Sequence, residues 1–169
     1  RRGVGGEPLT YARLEACVEP TLRSALQALH DIGTRPIVLK GAALAYTVYP
    51  EPHHRSMADL DLLVQPADLQ RAMDALHTCG FTLKALPLEL KDGTCIQRVN
   101  KVDPAGNLMT VDLMLVDRTL APAWASRSRL PFGEGQVVAV SREALIAMKA
   151  LAARPQDLAD IANLKDSDR

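Results

Sequence analysis

The sequence predicts an α+β domain built on a mixed β-sheet with flanking helices, and three observations predict it. A short apolar run, Ile37-Val38-Leu39, passes through Gly41 into a helical pattern. A second strand-like run, Leu60 to Val64, is headed by Asp59 and Asp61 and followed by an amphipathic helix. Two extended stretches flank a turn near Pro104, and two helical patterns then close the chain. Elements in that order bury their apolar faces best as helices packed on a sheet.

The chain has 169 residues, of which 47% are apolar, enough for one real core with a small helical appendage. The expected division is a core over residues 1–140 and a C-terminal helical closing element over 141–169. Lys and Arg number 20 and so do Asp and Glu, giving a net charge of zero. No overall positive field is therefore available to gather nucleic acid non-specifically or to hold an anionic membrane surface. No apolar run approaches the ~20 residues that span a bilayer, and no hydrophobic signal region follows Arg1-Arg2-Gly3. The three cysteines, Cys17, Cys79 and Cys95, are odd in number and widely spaced, as reduced thiols of a cytoplasmic protein would be.

Leu14 to Val18 and then Leu22, Ala25, Leu26 and Leu29 recur at helical spacing. Pro20 suits the first turn of a helix, so two helices are expected before the first strand, the second closed by Gly33. Ile37 to Leu39, bounded by Pro36 and Gly41, is too short for a helix and reads as a buried strand. A helix from Ala42 to Tyr49 should follow, ended by Pro50 and Pro52. Gly41 lets backbone come close to a ligand, and the opening amides of that helix lack intrahelical partners, a geometry that accepts phosphate.

Alternation along the next strand puts Asp59 and Asp61 on one face, with β-carbons about 7 Å apart, and Leu60 and Leu62 on the other. Two hard anions so placed repel unless a cation or proton intervenes, and Mg²⁺ favours carboxylates together with substrate phosphates. Arg55, four residues earlier, carries a permanently charged fork suited either to a triphosphate or to a structural salt bridge. His53 and His54 lie in a Pro-rich loop, point apart and are read as solvent-facing.

Pro66 opens a helix that runs to Gly80, and Phe81 to Ala85 returns as a strand, with a right-handed crossover if the two strands are parallel. Cys95 to Val102 and Leu108 to Val116 form a hairpin around Asp103-Pro104-Ala105-Gly106-Asn107. Asp112 sits among β-forming residues of the second arm, where unpaired burial would be expensive; it either faces the carboxylate pair or lies on a wet edge. Thr119 to Gly135 reads as a linker, with Trp124 as an anchor or a stacking surface. Gln136 to Val140 is a last strand, Ser141 caps a helix through Leu151, and Pro155 starts the final one.

Lys40-Gly41-Ala42, then Arg55, then Asp59-Leu60-Asp61-Leu62-Leu63-Val64 together resemble the signature of the uncharacterised nucleotidyltransferase family. That family is a branch of the DNA polymerase beta-like nucleotidyltransferase superfamily, and the resemblance covers roughly Ile32 to Leu164. It implies the nucleotidyltransferase fold and transfer of a nucleoside monophosphate from a triphosphate such as ATP to an acceptor hydroxyl, with release of pyrophosphate. It further implies two Mg²⁺ ions, or Mn²⁺ in their place, held by Asp59, Asp61 and Asp112, with Asp112 as the third catalytic carboxylate.

In the superfamily the turn is usually Gly-Gly or Gly-Ser. Here Gly41-Ala42 leaves the phosphate grip to backbone amides and Lys40. The run from Met148 to Ile161 resembles the closing element of small nucleotidyltransferases, in which Lys149 would reach a phosphate while Arg154 and Asp157 pair to hold the helices. Two alternatives remain beside this reading: a toxin-type or small-molecule-modifying enzyme that differs only in acceptor, and an inactive nucleotide-binding or interaction module on the same fold.

Overall fold

The computed structural model describes residues 11–43, 59–90, 92–104, 106–132, 135–152 and 154–166. Helix α1 (Tyr11–Asp31) leads into β1 (Ile37–Val38) and β2 (Asp59–Val64). A short 3₁₀ turn, Pro66–Asp68, opens α2 (Leu69–Thr78), which is followed by β3 (Leu83–Lys84), β4 (Leu88–Glu89), β5 (Cys95–Val102) and β6 (Leu108–Leu115). Helix α3 (Ala121–Ala125), the hairpin β7 (Arg127–Phe132) and β8 (Gly135–Val140), then α4 (Arg142–Ala152) and α5 (Pro155–Asp166) complete the chain. The strands form one mixed sheet in the order β3-β5-β6-β2-β1-β8-β7, with β4 also paired to β5.

Two parallel pairings, β2 with β6 and β1 with β8, sit among antiparallel ones. The buried sides of the central strands supply the core: Ile37, Leu39, Leu62, Leu63 and Leu113 are fully enclosed. Truncating any of these to Ala costs about 2–5 kcal/mol. Helix α1 contributes Ala25 and Leu29 to the same cluster, and α2 contributes Ala72 and Leu76. Both helices stop in the same way. The N–H of Gly33 donates to the carbonyl of His30 and that of Thr34 to Leu29, while Gly80 and Phe81 donate to His77 and Leu76. Gly33 and Gly80 take φ of 80° and 90°, left-handed values that these Schellman stops require.

Three expectations need correction. The two N-terminal helices are one, because Pro20 lies on an exposed side of α1 and the burial of Ala25 and Leu29 outweighs the lost hydrogen bond. The linker from Thr119 to Gly135 contains α3 and β7; β7 is an edge strand, the one place where Pro131 leaves a ladder intact. Strand β3 is only two residues long, and although it runs in the same direction as β2 it pairs with β5 two strands away, so the two make no adjacent parallel pair. The hairpin forms as expected, its turn held by Asp103, whose carboxylate accepts from the backbone N–H and the side-chain amide of Asn107 at 2.7 and 2.8 Å. Cys79 and Cys95 are free thiols. No described helix is long and apolar enough to cross a membrane.

Candidate active site

Strand β1 passes through a single residue, Leu39, into a helical turn. The N–H of Leu39 donates to the carbonyl of Asp61 at 3.0 Å, and the carbonyl of Leu39 accepts from Ala43, so the helical turn opens at Lys40, two residues earlier than Ala42. Lys40 has φ of 47°, the single positive value at a non-glycine among the described residues. Such a conformation costs on the order of 1–2 kcal/mol and persists only where the surroundings impose it. Its result here is functional placement: the Lys40 ammonium lies 2.6 Å from a carboxylate oxygen of Asp61. The N–H groups of Gly41 and Ala42 belong to the first helical turn and have no acceptor four residues back. The turn is therefore directly beside the carboxylates.

Register brings the acidic residues together. In the parallel pairing of β2 and β6, Asp59 stands opposite Thr110 and Asp61 opposite Asp112. Directly paired residues project to the same face, so Asp59, Asp61 and Asp112 share one. The antiparallel register of β5 and β6 then places Arg98 opposite Asp112 on that face. Arg98 donates from Nε and Nη2 to the two carboxylate oxygens of Asp112, both at 2.7 Å. The register lines up Arg98, Asp112 and Asp61, and the Lys40 side chain reaches the far end, so two carboxylates stand between two cations. Asp61 and Asp112 are buried, and Asp59, in the neighbouring row, is exposed.

Electrostatics follow from this packing. Burial raises the Asp61 carboxyl above the ordinary carboxylate value; Lys40 opposes the rise, and the negative charges of Asp59 and Asp112 add to it. Arg98 is pushed further toward its charged form by hydrogen bonding to Asp112 and by the carboxylate charges around it. The site thus holds more negative charge than its two cations offset. Hard carboxylate oxygens on one face with surplus negative potential fit a divalent cation such as Mg²⁺. Asp59 and Asp61 are the residues best placed to hold it, since the Asp59 carboxylate makes no ion pair among the described residues.

The three carboxylates share a face but do not close into one group, however. Among the described residues no three His, Cys, Asp or Glu side chains gather into one metal-holding group. The physical reason is counter-charge. Asp112 is 3% exposed and Asp61 5% exposed, and buried carboxylates take the nearest cation, which is Arg98 for one and Lys40 for the other.

Lys149 is also placed otherwise than expected. Its ammonium is buried and donates to Asp160 at 2.6 Å and to Asp157 at 3.3 Å, joining α4 to α5 as an internal counter-ion rather than reaching a phosphate. Arg154, at the start of α5, forks onto Asp157 with Nε at 2.7 Å and Nη2 at 3.2 Å. Hydrogen bonding to Asp157 raises the Arg154 guanidinium, and the charge of Asp61 contributes as well, so this corner of the closing element lies within electrostatic reach of the site. Trp124 is half-buried in α3 with the Arg127 guanidinium 5.3 Å from its ring centroid, an anchored rather than a free stacking surface. Arg55, with His53 and His54, lies outside the described residues.

Arg98 carries no sequence motif, yet counting would have found it. The hairpin closes with Val102 opposite Leu108, so four residues inward on each arm pairs residue 98 with residue 112. Replacing it with Gln tests the pair. Arg98→Gln leaves the Asp112 carboxylate without its fork and is expected to cost about 1–3 kcal/mol, the lower end applying because the Arg98 side chain is itself 48% exposed. Urea unfolding at pH 7 measures it, and an unchanged midpoint would assign the pair no structural weight.

A mixed sheet with two same-face aspartates on one strand, a third on its parallel neighbour and a strand-to-helix turn beside them defines a nucleotidyltransferase fold. The chain belongs to the uncharacterised nucleotidyltransferase family, whose profile matches residues 9–162. Solved structures agree on the fold. ANT(2″)-Ia in complex with adenylyl-2″-tobramycin superimposes with a TM-score of 0.61 at 15% identity, over 88% of this chain and 87% of that one. The lincosamide antibiotic adenylyltransferase LnuA, bound to lincomycin, gives 0.59 at 14% identity over 88% and 96%. An antigenic nucleotidyltransferase-like protein from Paracoccidioides brasiliensis gives 0.53 at 17% identity over 88% and 76%. No curated protein matches the chain significantly.

Proposed function

We propose that the chain is a metal-dependent enzyme that moves a nucleoside monophosphate from a nucleoside triphosphate to an acceptor hydroxyl. The observation that carries this reading is the register of Asp61 with Asp112, with Asp59 on the same face and the Lys40 turn alongside. In the reaction the acceptor oxygen bonds to the α-phosphorus, the bond from that phosphorus to the bridging oxygen breaks, and pyrophosphate departs with the displaced electron pair. The hydroxyl proton must leave as the new bond forms. In this reading Asp112 orients that hydroxyl and receives its proton once Arg98 gives up one of its two hydrogen bonds. Lys40 and the N–H groups of Gly41 and Ala42 hold and orient the phosphates, in the manner of a helix opening that receives an anion. Asp59 and Asp61 would hold Mg²⁺, which would neutralise phosphate charge and ease ionisation of the hydroxyl.

A second reading is favoured by one observation: both oxygens of Asp112 are committed to Arg98, as in a module that binds nucleotide without turning it over. Binding and turnover separate the two. Each of the four ribonucleoside triphosphates is added with Mg²⁺ and the thermal midpoint is followed. A triphosphate at about 100 times its Kd is expected to add about 2.7 kcal/mol, a rise on the order of 5–10 °C for a chain of this size. No rise with any triphosphate would defeat both readings. A rise without pyrophosphate release, across a panel of small-molecule, peptide and RNA hydroxyl acceptors, would leave the binding module.

A further inference from the structure

A cavity lies beyond the opposite end of β1 from the aspartate site. It has a volume of about 420 Å³ and is bounded by the C-terminal half of α1, the approach to β1 and the paired strands β7 and β8. The site described above is at the C-terminal end of β1, where Leu39 bonds to Asp61, whereas this cavity takes Arg35, which precedes β1, and Val138 of β8. Strands β1 and β8 are parallel, with Val38 paired to Ala139, so both contribute to the cavity from their N-terminal sides. From Arg35 to Lys40 the chain advances on the order of 15 Å.

The lining has a consistent chemistry. Arg23, Arg35, Arg129 and His30 are its only titratable residues among the described ones, and no carboxylate joins them. In a chain of zero net charge this is a local concentration of one sign. Guanidinium groups brought around one concavity repel one another, and a cleft lined by one sign of charge concentrates the opposite ion. Arg35 and Arg129 make no ion pair among the described residues, and the neighbouring carboxylate of Asp31 is engaged by the side-chain amide of Gln27 at 2.7 Å. Beneath the arginines the wall is apolar, formed by side chains such as Leu26 and Val138. A concave, partly apolar space of this size with a few convergent polar groups is the usual form of a small-molecule site. Guanidinium forks match the paired oxygens of a phosphate group.

We propose that this cavity binds a small phosphate monoester, with Arg35 and Arg129 on the phosphate and the apolar wall against the organic part. The proposal is independent of the transfer reaction, because it uses none of the residues placed in that site. Titration calorimetry of the whole chain with phenyl phosphate and with inorganic phosphate tests it. Phenyl phosphate should bind at a single site and at least about threefold more tightly than phosphate, since only the ester presents an apolar body to the wall. Both arginines are exposed, so the double variant Arg35→Gln with Arg129→Gln should keep the wild-type thermal midpoint and lose at least about tenfold in affinity. Lys40→Ala should leave the affinity unchanged. An absence of saturable binding, equal affinity in the double arginine variant, or loss of binding in Lys40→Ala would each overturn the proposal, the last by moving the phosphate to the aspartate site.

Discussion

Asp61→Asn should abolish nucleotide transfer while leaving the protein folded. A loss of at least about 10³ in turnover is expected, equivalent to about 4 kcal/mol of transition-state stabilisation. Asn offers a neutral amide where a divalent cation and triphosphate need a carboxylate, so the metal-dependent part of triphosphate affinity should vanish with it. Stability should not fall, and the sign follows from the raised carboxyl of Asp61, whose first cause is burial. A carboxyl raised in the native state favours folding at low pH, and that contribution is lost as pH rises from the ordinary carboxylate value through the raised one. At pH 7 the ionised group is therefore no asset to the fold, and Asn removes the buried charge, so the thermal midpoint should match or exceed that of the wild type. Asp112→Asn makes the contrast. It should keep triphosphate binding within about threefold yet lose transfer, because its part belongs to the step and not to the bound state. Equal Mg²⁺-dependent triphosphate affinity in the wild type and Asp61→Asn would show the site to be wrongly assigned.

What could be read from sequence divides along a physical line. Alternation and turn chemistry are local, and they marked β2, the β5–β6 hairpin, the Ser141 cap, whose Oγ accepts from the Ala144 N–H at 3.2 Å, and the two closing helices. Same-face placement of Asp59 and Asp61 needs only the period of a strand. Placement of Asp112 beside them needs the pairing of β2 with β6, a contact between residues 51 apart, as 112 is from 61, that no local pattern states. The identity of each carboxylate's counter-ion is less legible still. Lys40 meets Asp61 only because its backbone takes a left-handed turn, and Arg98 meets Asp112 only through hairpin register. Pro20 misled for a related reason, since a proline breaks a helix only when packing on the rest of it is too weak to compensate.

Lys149→Met should produce a large loss of stability. The Lys149 ammonium sits between Asp157 and Asp160, and the three side chains are 7%, 2% and 4% exposed. Met fills nearly the same volume, so the cost is electrostatic: buried carboxylates lose their shared cation. Breaking a buried ion pair by removing one partner costs about 3–5 kcal/mol, a large part of the roughly 5–15 kcal/mol that holds a domain folded. For a chain of this size the thermal midpoint should fall by about 6–20 °C. Acid unfolding supplies the second readout. Hydrogen bonding to Arg154, with help from Lys149, holds the Asp157 carboxyl down to about 2. A depressed carboxyl stabilises the native state above its ordinary value of 3.8, and that stability is lost as pH falls from about 4 toward 2. Without Lys149 the depression weakens, so the acid transition should move to higher pH. The double variant Lys149→Met with Asp160→Leu should recover part of the loss, because an apolar pair can replace a buried ionic one. A lysine that instead gripped triphosphate would give the opposite pattern on substitution, an unchanged thermal midpoint with nucleotide affinity lost, and that result would return Lys149 to the nucleotide site.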